Sequence, residues 1–208
     1  MKSVRISSTE LDGYQYYLDS EEMTLEEMIS RARKQDPPTH KQKTGSAWHK
    51  VLENPTDETL ETVSSGICKF KITANAEIKL PQIRELKAVE PVAVINGIRV
   101  DLVGVADGIN GNEVVDHKLT FRPDMGKFAA AWQWRCYLLL FKAAKFRYIV
   151  YSAKYINEPD EIEIYSVDEM TLYRYSGLNA DVVNMLSMYI DFLANNCPER
   201  ILTNGIAK

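Results

Sequence analysis

At 208 residues the chain is long enough for one domain with a sizeable core, and its 45% apolar and 26% charged residues are typical of a soluble globular protein. The net charge of −4 excludes a basic nucleic-acid coat, so any contact with nucleic acid must use a local basic patch. Three scattered cysteines without a Cys-x-x-Cys pair indicate neither a zinc site nor a disulfide framework and suit a reducing cytosol. We expect no signal peptide and no membrane span.

The N-terminal part of the chain is predicted to contain a helix followed by a loop. Residues 6–18 form a polar and aromatic lead-in whose structure the pattern does not decide. Thr24 and Glu27 have the spacing of a capping box, which predicts a helix from there to about Lys34. A basic, polar loop is expected at residues 39–43.

A second helix is predicted at Ala47–Glu53. Thr44-Gly45-Ser46 is expected to open it, and Asn54-Pro55 to end it, because proline cannot continue a helix. Residues 56–65 have the pattern of another short helix. The stretch from 67 to 90 is mixed and is expected to contain β structure.

Two tight turns in succession predict a three-stranded antiparallel meander in the middle of the chain. Asn96-Gly97 suits a type I′ turn after the strand Val92–Ile95. Residues 98–109 are rich in β-branched side chains, and Asn110-Gly111-Asn112 is turn chemistry. The strand after this second turn is expected to end at Lys118.

Three charged side chains interrupt these apolar strands. Side chains alternate along a strand, so Asp116 and Lys118 share a face, and Asp107 lies across the turn from them. We therefore expect two carboxylates and an ammonium group to converge on one apolar face of the sheet. Burying such charges is costly unless a cation or polar ligand satisfies them, which favours a metal-dependent hydrolytic site. Alternating charges on an ordinary surface strand would give the same pattern.

The C-terminal half is predicted to hold a long helix, two strands and a final helix. The long helix runs from Pro123 to about Ala144 and carries a broad apolar stripe. The strands are Phe146–Lys154 and Glu161–Val167. The final helix is predicted from about Asp168 to Asn195, and Gly177 is a position at which it could be broken. The order of elements predicts an α/β fold, with one mixed β-sheet flanked by helices.

Four segments hold the unusual polar residues. They are Thr44–Glu53, in which a glycine precedes a helical histidine, Gly104–Ile109, Val114–Thr120 and Gln133–Tyr137. Together they resemble the motifs of the PD-(D/E)XK nuclease superfamily, most closely its RecB-like branch and the phage-type exonucleases related to lambda exonuclease and RecE. The resemblance covers about residues 44–141. It implies a restriction-endonuclease-like core in a single nuclease domain, 1–208, with C-terminal strands and a helix at 146–196.

The residue types also suit metal-assisted hydrolysis of a phosphodiester bond. Carboxylates bind Mg²⁺ or Mn²⁺, which lower the pKa of an attacking water and stabilise the developing oxyanion. Asp107 and Asp116 are the expected ligands of one or two such ions. Lys118 is expected to orient or help to deprotonate the water and to stabilise charge in the transition state. The resemblance implies His49 as a third ligand, and the backbone carbonyl of His117 is a further candidate.

Other polar residues have both a functional and an ordinary interpretation. Gln133 and Tyr137 are expected to contact the substrate backbone or to hold the lysine and carboxylates in place, unless they form a core pair. Glu53 shares the helical face of His49 and could support the ligands, bind metal itself or be a surface glutamate. The ring of His117 is expected in the core. Candidate DNA contacts, each of which could instead be an ordinary exposed or core residue, are Lys41, Lys43, Lys50, Arg122, Lys127, Trp134 and Arg135.

The resemblance favours an exonuclease on linear double-stranded DNA that acts in recombination or end processing. We expect it in the cytoplasm of a bacterial or phage-infected cell, acting as a homo-oligomeric ring or with a single-strand annealing protein. No iron–sulfur cluster is expected, because the RecB-like proteins that carry one use four cysteines. Two alternatives stay open: a catalytically silent nuclease fold used for DNA binding or assembly, and a metal-dependent endonuclease acting on other nucleic acid such as RNA.

Overall fold

In the part of the chain that the structure describes, eight strands form one mixed β-sheet, and helices cover both of its faces. The computed structural model describes residues 1–53, 62–64, 68–74, 83–157 and 161–202. The strands are β1 (Lys2–Ser7), β2 (Thr62–Ser64), β3 (Lys69–Ile72), β4 (Ile83–Ile95), β5 (Ile98–Asn110), β6 (Glu113–Thr120), β7 (Lys145–Asn157) and β8 (Glu161–Tyr173). The helices are α1 (Ser8–Asp19), α2 (Leu25–Ala32), α3 (His40–Glu53), α4 (Met125–Ala130), α5 (Trp132–Leu140) and α6 (Leu178–Asn196), followed by a 3-10 turn at Pro198–Arg200.

Strand β5 is central because it has neighbours along both edges. On one edge it pairs with β4 through the predicted hairpin, whose turn residues Asn96 and Gly97 have φ values of 50° and 75°. On the other edge, β1 runs parallel to residues 98–103 and β6 runs antiparallel to residues 108–110. The predicted meander of β4, β5 and β6 is therefore confirmed. Residues 104–107 of β5 lie between the two partners on that edge.

The rest of the sheet extends from β6. Strand β7 lies parallel to β6, and helices α4 and α5 form the long connection that parallel strands need. Strand β8 then pairs antiparallel with β7. Strand β3 lies parallel to β8, and β2 pairs antiparallel with β3. Parallel and antiparallel pairs in one sheet confirm the predicted α/β fold with a mixed sheet.

Two apolar layers hold the helices against the sheet. Under α1, α2, α5 and α6, side chains such as Leu11, Leu138 and Leu186 are fully buried. On the opposite face, Trp48 of α3 packs against Tyr151 of β7 with ring centroids 4.9 Å apart. Among the residues that the structure describes, no helix combines the length and apolar character needed to cross a bilayer.

Helices α1 and α2 both begin with capping boxes. The amide of Ser7 donates to Glu10 at 2.9 Å, and this cap starts α1 inside the lead-in whose structure the sequence left undecided. The predicted capping box of α2 is confirmed, because the amide of Thr24 donates to Glu27 at 2.8 Å and the amide of Glu27 donates back at 3.2 Å.

Helix α3 begins at His40, so the predicted loop at residues 39–43 is wrong. The amide of Thr39 donates to Gln42 Oε1 at 2.7 Å, and the amide of Gln42 donates to Thr39 Oγ1 at 3.3 Å. This reciprocal pair is a further capping box. It starts the helix ahead of Thr44-Gly45-Ser46, which lies inside the helix rather than at its start.

The long helix predicted from Pro123 to Ala144 is wrong as one continuous element. Ala131 has φ −57° and ψ 148°, an extended conformation that separates α4 from α5. The amide of Trp132, which a continuous helix would use internally, donates instead to Asp12 of α1 at 2.5 Å. A tertiary contact therefore decides where α5 begins.

The final helix begins later than predicted. Strand β8 continues through residues 168–173, with Glu169 opposite Ile149 and Tyr173 opposite Lys145 of β7. Pairing along the full length of β7 thus overrides the helical pattern. Helix α6 begins only after Gly177.

The short helix predicted at residues 56–65 is contradicted where it can be compared. Thr62–Ser64 is a strand whose partner is β3. Residues 54–61 and 65–67 lie outside the described part of the chain.

Candidate active site

The site lies where strands β5 and β6 separate. Their ladder covers three residue pairs and ends at Gly108 opposite Val115. The next pair in register would be Asp107 and Asp116. Instead, the carboxylate of Asp107 accepts a hydrogen bond from the backbone amide of His117 at 2.7 Å. A side-chain hydrogen bond thus replaces the backbone pairing at this point. The two strands separate here, which leaves an opening in the sheet between Asp107 and Asp116.

Asp107 faces helix α3, where its Oδ1 lies 3.4 Å from Nδ1 of His49. Burial opposes ionisation, but the hydrogen bond and charge of His49, with the amide of His117, hold the pKa of Asp107 below its ordinary value. Burial lowers the pKa of His49, and its hydrogen bond and charge interaction with Asp107 more than reverse this effect. Each of the two groups thus stabilises the charged form of the other.

Asp116 is only 2% exposed and is held by two side chains. Gln133 Nε2 donates to its Oδ1 at 2.6 Å, and Lys118 Nζ lies 2.8 Å from its Oδ2. Burial raises the pKa of Asp116 to about 6, although the charge of Lys118 opposes this. Burial also lowers the pKa of Lys118, but Asp116 reverses that and raises it above its ordinary value.

The two carboxylates approach the opening from opposite faces of the sheet, which corrects the expectation of one shared face. The contact of Asp107 with His49 places its carboxylate on the side of α3. Val114 belongs to the apolar layer beneath α5, so Asp116 faces α5. Both reach the opening because the strands separate there, and the charge of Asp107 adds to the raised pKa of Asp116.

Tyr137 holds α5 against β5. Its hydroxyl donates to the carbonyl oxygen of Val105 at 2.9 Å. Its ring is so close that a Cβ placed on Gly104 would meet Tyr137 Cε1 at 2.8 Å. Of the roles expected for Gln133 and Tyr137, these contacts fit the one in which the pair holds a carboxylate and its strand in place.

The ring of His117 lies in the layer beneath α3, on the side away from Asp116 and Lys118. Its Nδ1 is 3.0 Å from the hydroxyl of Tyr151, and the residue is 3% exposed. Burial lowers the pKa of His117 to about 4, so its ring is neutral at physiological pH. The ring is thus a core group, and the backbone amide of His117 contacts the site through Asp107.

Comparison of the sequence with protein-family models and with curated proteins gives no match. Solved structures do match. A candidate exonuclease from Eubacterium rectale has 11% identity and a TM-score of 0.51, with 95% of this chain and 83% of that one covered. The protein SSO0001 has 15% identity and a TM-score of 0.50, with 96% and 88% covered. The alkaline exonuclease LHK-Exo from Laribacter hongkongensis has 11% identity and a TM-score of 0.47, with 94% and 89% covered.

The chain therefore has the fold of these solved structures, one of which is described as a candidate exonuclease. At these identities the likeness establishes the fold alone. The chemistry must be argued from the side chains at the opening.

The donor groups of this site fit a hard divalent cation by their chemistry. Asp107 and Asp116 supply carboxylates, and His49 supplies an imidazole. The buried Oδ2 of Asp116 has an ion pair with Lys118 but no other hydrogen-bond partner. Within the described residues, no three His, Cys, Asp or Glu side chains are close enough together to hold an ion. Metal binding would therefore require Asp107 and Asp116 to exchange some of their present contacts.

Two residues of β4 adjoin the site and were not predicted from the sequence. Arg84 and Glu85, with Glu53, His49 and Asp107, help to line a cavity of about 20 Å³, room for one water molecule. Arg84 donates to the backbone carbonyl of Glu53 at 3.0 Å. Burial and then the charge of Glu53 raise the pKa of Glu85. The sequence alone does not indicate Glu85, because the pairing of β4 with β5 on either side of it, Arg84 with Gly108 and Leu86 with Ala106, brings it near Asp107.

The basic residues predicted as DNA contacts lie on α3, in the turn after β6 and on α4. Lys41, Lys43 and Lys50 are exposed on α3. Arg122 is exposed in the turn after β6, and Lys127 is exposed on α4. Their placement leaves the predicted role in phosphate binding open to test.

Trp134 and Arg135 hold the break between α4 and α5. Trp134 is buried, and its indole donates to the carbonyl of Ala129 at 2.9 Å. The guanidinium of Arg135 lies 4.5 Å from the Trp134 ring centroid and donates to the carbonyls of Ala130 and Ala131 at 2.9 and 2.7 Å. These contacts correspond to the core alternative, in which the buried ring of Trp134 does not stack on a base.

Proposed function

We propose that this protein is a divalent-metal-dependent deoxyribonuclease that acts as an exonuclease on linear double-stranded DNA. The observation that carries the proposal is the assembly of Asp107, Asp116, Lys118 and Gln133 at one opening in the sheet. In the proposed site Asp107 and Asp116, with His49, hold Mg²⁺ or Mn²⁺. When bound, the metal supplies a water of lowered pKa and neutralises charge at the phosphate.

Lys118 acts in this proposal as a cation. The charge of Asp116 raises the pKa of Lys118, so the ammonium form persists at neutral pH and is a poor proton acceptor. It can orient the attacking water by hydrogen bonding and stabilise the negative charge that develops on the phosphate oxygens. Gln133 keeps Asp116 in a fixed orientation through its 2.6 Å hydrogen bond.

Two considerations favour exonuclease action. One structural neighbour, from Eubacterium rectale, is described as a candidate exonuclease. The net charge of −4 on this chain disfavours tight solitary binding to long duplex DNA. The protein would stay on its substrate by forming a ring of copies of this chain or by binding a single-strand annealing protein. We place this activity in the cytoplasm of a bacterial or phage-infected cell.

Parallel digestion of linear, nicked and covalently closed circular DNA tests the proposal. We expect loss of the linear form with Mg²⁺ or Mn²⁺, no loss with a chelator, and persistence of closed circles. Asp116→Asn is the matched control, because it keeps the side-chain shape and an acceptor for Gln133 but removes the charge. It should abolish cleavage while the purified variant stays folded.

Other results would replace parts of the proposal. Discrete cuts in closed circles would make the protein an endonuclease, and cleavage of RNA alone would change its substrate. Binding of DNA without cleavage under either metal would favour the catalytically silent module. Full activity of Asp116→Asn would contradict the site itself.

A further inference from the structure

The break between α4 and α5 creates a helix N-terminus inside the molecule. Ala131 is extended, so the first amides of α5 have no acceptor within the helix. Such amides need a partner when they are not exposed to water. The residue that supplies it lies far away in the sequence.

Asp12 of α1 is that partner. Its Oδ1 accepts from the amide of Trp132 at 2.5 Å, and the amide of Gln133 also donates to its carboxylate. A carboxylate at a helix N-terminus is favoured by capping and by the helix dipole. Burial raises the pKa of Asp12, while the two amides and the nearby charge of Lys118 lower it in part.

Gln133 connects this cap to the candidate active site. The residue is 8% exposed, its backbone amide is bound by Asp12, and its side chain donates to Asp116 at 2.6 Å. Lys118 contacts the other oxygen of Asp116 at 2.8 Å. A continuous series of polar contacts thus runs from α1 through α5 to β6.

We infer that Asp12 is a positioning residue: by capping α5 from α1, it fixes the backbone of Gln133 and so holds the Gln133 side chain on Asp116. Without the cap, the first turn of α5 frays, and the amide of Gln133 no longer has a fixed direction. Asp116 then loses the donor that orients its Oδ1. The kinetic consequence rests on the proposed function, whereas the structural consequence does not.

A general contribution to packing between α1 and α5 would be a different role, and the chain offers a matched control for it. Gln15 lies on the same helix as Asp12 and contacts the same neighbour, because its Oε1 accepts from the indole Nε1 of Trp132 at 3.1 Å. Replacement of Gln15 removes a bond between the same two helices without touching the backbone of Gln133.

The experiment compares Asp12→Ala, Asp12→Asn, Gln15→Ala and Gln133→Leu with the wild type on linear duplex DNA. Asp12→Ala should lower kcat about 10- to 100-fold with KM changed less than about twofold, because positioning rather than binding is lost. Asp12→Asn should restore most of kcat, since asparagine also caps helices. Gln15→Ala should keep kcat near that of the wild type. The double variant Asp12→Ala/Gln133→Leu should be no worse than Gln133→Leu alone.

Two measurements do not depend on cleavage. Hydrogen exchange at the amides of Trp132 and Gln133 should accelerate in Asp12→Ala but not in Gln15→Ala. Mn²⁺ affinity, measured by calorimetry, should fall in Asp12→Ala and Gln133→Leu alike. Unchanged exchange, additive effects in the double variant, or an equal loss of kcat in Gln15→Ala would overturn the inference. A wild type that cleaves nothing would contradict the proposed function only, and exchange and Mn²⁺ affinity would still decide the role of Asp12.

Discussion

At the scale of single residues, the opening between β5 and β6 places each acid in a different environment. Asp107 lies beside His49, which lowers the pKa of Asp107, whereas burial raises the pKa of Asp116 to about 6. Lys118 is the cation in contact with Asp116. In the proposed chemistry Lys118 therefore has two roles. It compensates the negative charge of the buried Asp116, and it stabilises the charge that develops on the substrate.

Replacement of Lys118 separates these tasks. Lys118→Met keeps the aliphatic stem but removes the charge, and we expect the cleavage rate to fall by on the order of 10²-fold or more. Mn²⁺ binding and DNA binding should persist, because the carboxylates remain. Single-turnover cleavage and equilibrium binding of the same DNA measure the two effects.

Lys154→Met provides the control for a general loss of positive charge. Lys154 is an exposed residue of β7 that pairs with Glu163 at 3.1 Å, on a part of the sheet outside the site. Its replacement should leave the rate unchanged. A Lys118→Met variant that cleaves normally but binds DNA poorly would make Lys118 a phosphate anchor instead.

At the scale of elements, the site depends on the close approach of α5 to β5. A Cβ on Gly104 would meet Tyr137 Cε1 at 2.8 Å and Leu140 Cδ2 at 3.0 Å, so only glycine lets the helix lie this near. The hydroxyl of Tyr137 completes the contact at the carbonyl of Val105. Because α5 also carries Gln133, displacement of this helix would disturb the hydrogen bond between Gln133 and Asp116.

We therefore expect Gly104→Ala to lower the free energy of unfolding by about 1–3 kcal/mol through overpacking. Activity should fall with it, since the shift of α5 moves Gln133. Gly45→Ala is the matched variant: Gly45 lies inside α3 with no atom within 4 Å of the added Cβ, so alanine should stabilise the protein by about 0.5–1 kcal/mol. Urea denaturation of both variants measures the difference, and equal effects would contradict the steric argument.

Elements defined by local chemistry were predictable from the sequence. The Asn96-Gly97 turn and the capping box of α2 use residues within four positions of one another, and both occur as predicted. The alternation that placed Asp116 and Lys118 on one face is equally local. The capping box Thr39–Gln42 was also local, and recognising its spacing would have located the start of α3.

Other features could not be predicted because distant parts of the chain produce them. The break at Ala131 depends on Asp12, which is 120 positions from Trp132. The position of Glu85 near Asp107 depends on the pairing of β4 with β5, and the extension of β8 depends on pairing with β7. The opening that brings Asp107 and Asp116 together from opposite faces arises because β1 and β6 share one edge of β5.

At the scale of the whole molecule, residues near the start of the chain contact the C-terminal 3-10 turn through one buried carboxylate, that of Glu10. Glu10 is 8% exposed and contacts Arg200 of the C-terminal 3-10 turn at 2.8 Å and Lys34 at 3.4 Å. Glu10 also accepts from the amide of Ser7, at the start of α1, and from the hydroxyl groups of Ser7 at 3.0 Å and Tyr189 at 3.5 Å. Ser3 and Leu202 exchange backbone hydrogen bonds nearby at 3.0 and 2.9 Å. This clamp fixes α1, and with it the cap on α5.

The clamp predicts a specific dependence of stability on pH. Burial alone would raise the pKa of Glu10, but the charge of Arg200, the amide of Ser7 and the charge of Lys34 hold it below its ordinary value of 4.5. A carboxyl with a depressed folded pKa contributes stability that is fully present above the unfolded pKa and is lost as the pH falls through the folded pKa. The contribution of the ionised Glu10 should therefore be present at neutral pH and disappear in acid.

Glu10→Gln tests this by removing the charge and keeping the shape. At about pH 7 the variant should unfold with a free energy about 1–3 kcal/mol lower than that of the wild type, because Arg200 loses a charged partner inside the protein. As the pH falls below about 4.5, wild type and variant should converge, since Glu10 itself becomes protonated. Glu90→Gln, at an exposed position of β4, should match the wild type at every pH. A difference between Glu10→Gln and the wild type that persists unchanged into acid would mean that Glu10 stabilises the fold by packing or neutral hydrogen bonding, not by its charge.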